Sequence, residues 1–245
     1  MTSTRGWGAP TALAPDTRGH GRIARFSGAE RALHWLLAIT FFVMLATGLA
    51  LFVPDLATLV PRPVAKAWHV DAAIALAAGV LALFAAHWPR LRATMRDLDR
   101  FDRDDRRWLF GWSRLWRPAP APRQGRFNAG QKINSALVGG LMVVLAITGV
   151  LLLLGERDTR YRFAGTVIVH DWATWILVVL VIGHVYLAVV HRSTRHALRG
   201  MVVGDVDRDW ARRHHAKWVE GEERETEATA GERPVESVSG APPTS

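Results

Sequence analysis

Ten histidines and no cysteine define the metal chemistry open to this 245-residue chain. Without thiolates it forms no disulfide, thiolate-ligated iron–sulfur cluster, covalent c-type haem link or cysteine-based zinc site. Imidazole is the remaining strong ligand for a soft metal. His34, His69, His170 and His184 fall inside long apolar stretches, where a polar ring is costly and asks for a partner. His170 and His184 are 14 positions apart. On a helix that spacing is about 21 Å of rise and a net turn of about −40°, so both rings face one side at different depths.

The depth of the other two follows from the segments that hold them. Stretches free of Lys and Arg run over 33–53, 68–88, 133–154 and 167–190. Each has 21 to 24 residues, enough to cross a hydrocarbon core of about 30 Å. A soluble bundle would need a polar face on every helix, and the third and fourth segments offer almost none. The expected fold is therefore an all-α membrane protein, a four-helix transmembrane bundle. A mean hydropathy of only +0.08 conceals it, because arginine-rich connections are averaged with the apolar blocks.

Those connections set the orientation. Of the 31 basic residues, five lie in 1–32, two in 54–66, twelve in 89–132, three in 155–166 and nine in 191–245. Alternate connections thus hold 26 against 5, and the positive-inside rule puts both termini and the 89–132 loop in the cytoplasm. The expected organisation is a basic N-terminal segment (1–32), a transmembrane domain (33–190) and a cytoplasmic tail (191–245). The tail is Glu-, Ser-, Thr- and Pro-rich, and disorder is expected from about residue 219. Residues 97–107 read as a solvated helix or turn, and Pro118, Pro120 and Pro122 as an extended stretch. The first 31 residues lack the apolar core of a cleaved signal peptide. Trp35, Trp68, Trp88 and Trp172 sit near span ends as interfacial anchors. Membrane lipid is an expected partner and nucleic acid is not.

In this topology His34 and His184 lie near the cytoplasmic face, and His69 and His170 near the outer face. Two bis-histidine sites stacked in one bundle are what two b-type haems require, since paired neutral imidazoles leave a six-coordinate iron suited to electron transfer. Gly48 follows His34 by 14 positions, and Gly149 sits in a similar sequence, AITGVL against LATGLA. Either glycine fits close approach of a porphyrin or plain helix packing by small residues. Asp71 and Asp171, each near an outer histidine, read as hydrated at the interface. His87 and His191, at cytoplasmic span ends, read as surface residues. His20, His196, His214 and His215, in polar segments, receive no role.

Just before the third span the chain reads GRFNAGQKIN (125–134). Asn128 and Gln131 offer amide donors and acceptors, Gly130 allows close approach and Lys132 adds charge. This would suit a quinone carbonyl, although amides at a helix start are ordinarily caps.

The R-x-x-H-W around His34, His69 at the head of the second span, NAGQK at 128–132 and the His-x13-His of the fourth span together resemble a known family. It is the cytochrome b (gamma) subunit of respiratory membrane-bound formate dehydrogenase, within the four-helix di-haem b-type (cytochrome b561-like) group. The similarity runs from residue 25 to about 200. It implies an inner haem on His34 and His184, an outer haem on His69 and His170, and a menaquinone or ubiquinone pocket bordered by Asn128, Gly130 and His184, to which NAGQK adds Gln131. It also implies an iron–sulfur (beta) subunit that delivers electrons from outside, through the outer and then the inner haem, to quinone on the cytoplasmic side. A molybdenum or tungsten (alpha) subunit holds the formate-oxidising site, which is not on this chain. The expected role is the electron-transfer, quinone-reducing subunit of an oxidoreductase in the cell (inner/cytoplasmic) membrane. Two alternatives remain: the cytochrome b of a nickel–iron hydrogenase or other quinone-linked dehydrogenase, and a haem-free membrane anchor for a peripheral partner.

Overall fold

Four helices long and apolar enough to cross a membrane organise the chain. The computed structural model describes residues 21–111 and 122–231. Expectations for residues 1–20, Pro118, Pro120 and the last stretch of the tail (232–245) fall outside the described residues.

Helix α1 (Gly28–Phe52) opens at Ser27 with a reciprocal cap. The Ser27 hydroxyl accepts from the Glu30 N–H, and the Glu30 carboxylate accepts from the Ser27 N–H at 2.8 Å. Pro54, immediately after the C-cap Val53, stops it. Helix α2 (Arg62–Asp99) bends at His87 (φ −129°, ψ 29°) because Pro89 has no N–H for the carbonyl one turn earlier. The expected span ends at this bend, but the helix resumes and continues to Asp99. Helix α3 (Arg103–Leu109) is capped by Asp102, whose carboxylate accepts from the N–H groups of Asp104 and Asp105 at 2.8 Å. Helix α4 covers Ala129–Arg157, and α5 covers Thr166–Val185 with a wider final turn over Tyr186–Val190. Each expected span lies inside one of these helices to within a residue. The 89–132 segment, expected as a loop, contains the end of α2, all of α3 and the start of α4.

The chain divides into two units, Met1–Thr94 with Val138–Trp210, and Met95–Leu137 with Ala211–Ser245. In the first, Ile39, Phe42, Ile74, Leu81, Val143, Ile147, Val179 and Ile182 are exposed along the long helices, as lipid-facing positions should be. Small residues are used where helices meet: a Cβ on Gly79 would stand 2.6 Å from a Leu36 methyl. Glu30 is buried and accepts from the Thr94 hydroxyl at 2.5 Å and from Arg90 at 3.4 Å, tying the start of α1 to α2 beyond its bend.

A small clasp closes this unit. Strand β1 (Arg22–Ala24) pairs antiparallel with β2 (Asp205–Asp207), placing Ile23 opposite Val206, and α6 (Leu198–Val202) leads into it. The N–H groups of Arg25 and Phe26 both donate to the Gly204 carbonyl, at 2.7 and 3.0 Å. Gly204 has φ +110°, and a Cβ there would meet Arg31 Nη1 at 2.9 Å and the Phe26 carbonyl at 3.0 Å. Gly204→Ala is expected to lower the unfolding free energy by about 1–3 kcal/mol, read as a lower thermal midpoint of the detergent-solubilised chain. An unchanged midpoint would mean that the clasp adds nothing to stability.

In the second unit the structure corrects two expectations. Helix α8 (Ala216–Gly231), which follows α7 (Arg208–His214), occupies the part of the tail expected to be disordered from about 219. Polar composition misleads there because Trp218 and Val219 are buried and anchor the first turn. The His215 Nδ1–H donates to the Gly125 carbonyl at 2.7 Å, the Lys217 N–H donates to the Gln124 carbonyl at 3.1 Å, and Arg123 pairs with Glu220. Lys217 Nζ lies 2.6 Å from both Asp102 and Asp104. Burial pushes the Asp102 carboxyl up, but the hydrogen bond and charge of Lys217 together with the N–H groups of Asp105 and Asp104 outweigh it and hold the carboxyl below its usual value, and Lys217 lowers Asp104 likewise. A depressed carboxylate contributes stability above its ordinary value of 3.8 and loses it as pH falls through the folded value. The second correction is Asp105, which lies in the stretch expected to be solvated and is buried.

Candidate functional site

The histidines matched by depth meet in two pairs, all within the first unit. His34 of α1 faces His184 of α5 with ring centres 6.0 Å apart, and His69 of α2 faces His170 of α5 at 6.3 Å. The planes of each pair are inclined at 61°. His34, His69 and His170 are half-buried and His184 is exposed.

These separations test whether a haem iron fits. An imidazole nitrogen binds a metal at about 2.0–2.1 Å, and the ring centre lies about 1.1 Å behind that nitrogen, so two trans imidazoles have centres about 6.2 Å apart. Both pairs have close to the spacing that two imidazoles sharing one metal atom would take. The donor set agrees, because neutral imidazole pairs suit a b-type haem.

Hydrogen bonds orient the His69–His170 pair. Thr47 Oγ1 donates its one hydrogen back to the Val43 carbonyl at 2.8 Å, which leaves its lone pairs as acceptors. His69 Nδ1 lies 3.1 Å from that oxygen and 3.0 Å from the Met44 carbonyl, so Nδ1 carries the proton and Nε2 is bare. On the other side, Thr148 Oγ1 donates to the Val144 carbonyl at 2.8 Å and stands 2.8 Å from His170 Nδ1. Each threonine precedes its histidine by 22 positions. Each is followed by a glycine, Gly48 or Gly149.

Sequence reasoning picked out the glycines and missed the threonines. Its available signal was the repeated Thr-Gly pair at one fixed distance from His69 and His170. The space beside the glycines is taken by imidazole: a Cβ on Gly48 would stand 3.5 Å from His69 Cε1, and one on Gly149 would stand 3.6 Å from His170 Cε1. Among the remaining histidines, His87 is exposed at the bend of α2, and His191 Nδ1 lies near the hydroxyls of Ser193 and Thr194 at 3.1 and 3.2 Å.

Asn128, Gly130 and Gln131 belong to the second unit. Asn128 Oδ1 accepts from the Gln131 N–H at 2.9 Å, and Gln131 Oε1 accepts from the Asn128 N–H at 3.0 Å, which caps α4 reciprocally. Both oxygens are used. The amide nitrogens, Asn128 Nδ2 and Gln131 Nε2, have no partner among the described residues. At Gly130 the close approach is made by Trp108, whose ring would lie 3.0 Å from a Cβ. Lys132, expected to offer a charge, is buried and neutralised. Its Nζ lies 2.6 Å from Asp105 Oδ2, donates to the Arg100 carbonyl at 2.7 Å and sits 5.5 Å from the centre of the Phe101 ring.

A membrane-spanning helical bundle with paired histidines on its helices is the architecture of a b-type cytochrome, and the sequence agrees. Residues 25–204 match the family described as prokaryotic cytochrome b561, and the chain belongs to it. Membership of a cytochrome b family implies haem b. Among individual proteins, the chain is 26% identical over 225 residues to the formate dehydrogenase cytochrome b556 subunit of Haemophilus influenzae, covering 82% of this chain and 84% of that protein. It is 25% identical over 230 residues to the nitrate-inducible formate dehydrogenase cytochrome b556(Fdn) subunit of Escherichia coli K12, covering 85% and 97%. A third relative, the cytochrome b556(fdo) subunit from the same organism, is 25% identical over 217 residues.

Proposed function

We propose that this chain is the di-haem cytochrome b subunit of a formate dehydrogenase. It links an iron–sulfur partner on the outer face to quinone on the cytoplasmic face. The observation that carries this reading is the pairing of His34 with His184 and of His69 with His170, within a sequence whose relatives are named as formate dehydrogenase subunits. His34 and His184 bind the inner haem, and His69 and His170 the outer one. Haem, when bound, supplies one-electron transfer between its ferric and ferrous states. Thr47 and Thr148 hold the outer imidazoles in the tautomer that leaves Nε2 bare. The molybdenum or tungsten subunit that oxidises formate, together with its iron–sulfur partner, completes the complex in the cytoplasmic membrane.

At the cytoplasmic side, Asn128 Nδ2 and Gln131 Nε2 donate to quinone oxygen. Gly130, packed under Trp108, shapes the turn that presents them. Menaquinone and ubiquinone both offer the carbonyl that such donors recognise.

The experiment that tests this reading is affinity purification of the full chain from its native membrane. Two haem b per chain, co-purifying iron–sulfur and molybdenum or tungsten subunits, and haem reduction by formate are expected. Hydrogenase subunits in their place would give the reading to hydrogen oxidation, and a chain without a reduced b-type α band would leave a membrane anchor.

The quinone assignment has its own test, designed around the cap. Asn128→Asp keeps an oxygen for the Gln131 N–H but removes the Nδ2 donor. It is expected to slow quinol-linked turnover about tenfold, the effect of one lost hydrogen bond, with both haem spectra and the thermal midpoint unchanged. Asn128→Ala loses the cap as well and should lower the midpoint too. Full turnover in the Asp variant would remove Asn128 from the quinone site.

A further inference from the structure

The two histidine pairs have different surroundings. His69 Nδ1 has two acceptors, the Met44 carbonyl at 3.0 Å and Thr47 Oγ1 at 3.1 Å, and His170 Nδ1 has Thr148 Oγ1 at 2.8 Å. Neither hydroxyl has a hydrogen to return, since each gives its own to a carbonyl one turn earlier at 2.8 Å. His34 and His184 have no hydrogen-bond acceptor among the described residues; their ring neighbours are each other and, for His34, Trp35.

An imidazole whose Nδ1–H is given to an acceptor is the more basic at Nε2. A more basic axial ligand favours ferric over ferrous iron and so lowers the reduction potential. The carboxylate of Asp171, next in the chain to His170, adds negative charge on the same side and acts in the same direction.

We propose that these hydrogen bonds hold the outer site at a lower reduction potential than the inner one, so that the direction of electron flow across the membrane is set by Thr47, Thr148 and the Met44 carbonyl. The inference rests on the di-haem reading above and adds to it a potential order and the residues responsible. Thr47 and Thr148 act here as positioning residues, through the ligands and not on the iron itself. An electron arriving from the outer face meets the weaker acceptor first and moves downhill to the stronger.

The test is potentiometric reduction of the solubilised full chain, followed at the α band and resolved into two waves. Thr148→Val, nearly isosteric, removes the one acceptor of His170 among the described residues. It is expected to move the low-potential wave upward by severalfold in its equilibrium constant, approaching tenfold or about 59 mV, while the high wave stays in place. Thr47→Val should move the same wave by less, because the Met44 carbonyl still accepts from His69. Thr148→Ser, which keeps the hydroxyl, should restore the original position. Should Thr148→Val lose haem, the smaller upward shift in Thr47→Val is still required, and its absence overturns the proposal. Two bound haems with an unmoved low wave, or movement of the high wave instead, also overturn it while leaving the di-haem reading intact. A chain that binds no haem overturns both.

Discussion

His184→Ala is expected to reduce the haem content of the purified chain from two to one and to bring quinone-linked turnover to background. The ring of His184 is the one that faces His34 across a gap of metal-spanning size. Removing it leaves a single imidazole, too little to fix a six-coordinate iron. The pair of His69 on α2 and His170 on α5 does not use His184 and should persist with its own α band. His87→Ala is the matched control, since that ring sits exposed at the bend of α2. Haem quantification per chain reads the result. Two haems retained in His184→Ala, or one lost in His87→Ala, would break the pairing.

The second large effect concerns stability. Lys132 and Asp105 form a buried ion pair at 2.6 Å, with Asp105 only 2% exposed. Lys132→Met leaves that carboxylate buried without its cation, and the expected cost is about 3–5 kcal/mol. Changing both to apolar residues, Lys132→Met with Asp105→Leu, should recover most of the loss, because no charge then remains to be solvated. Thermal unfolding of the single and double variants measures both. Equal destabilisation by the two would mean that Lys132 acts through its packing and the Arg100 carbonyl, not through the pair.

These two sites differ in how much of them could be read from the chain alone. His170 and His184 share a helix, so helical rise and rotation fix their relative depth and facing, and the charge of the connections places His34 and His69 opposite them. The Asp105–Lys132 pair joins positions 27 apart on different elements, and no periodicity links them. The Lys- and Arg-free stretch of the second span ends at 88, yet Pro89 only bends α2, because residues on either side keep helical bonds. Thr47 and Thr148 were missed for a related reason. A threonine inside an apolar helix satisfies its hydroxyl on its own backbone and so signals nothing about a neighbour. Over 219–231 average polarity misleads, because two buried residues, Trp218 and Val219, decide the outcome.

The pairing of Ile23 with Val206 bears on how the molecule is made. The strands are separated by about 183 positions, and every membrane crossing lies between them. As the nascent chain leaves the ribosome, the first strand emerges early and waits unpaired until the last crossing has been inserted. Closure is therefore the final step of biogenesis for this half of the molecule, and a product released before residue 205 leaves an open edge that quality-control proteases are suited to recognise.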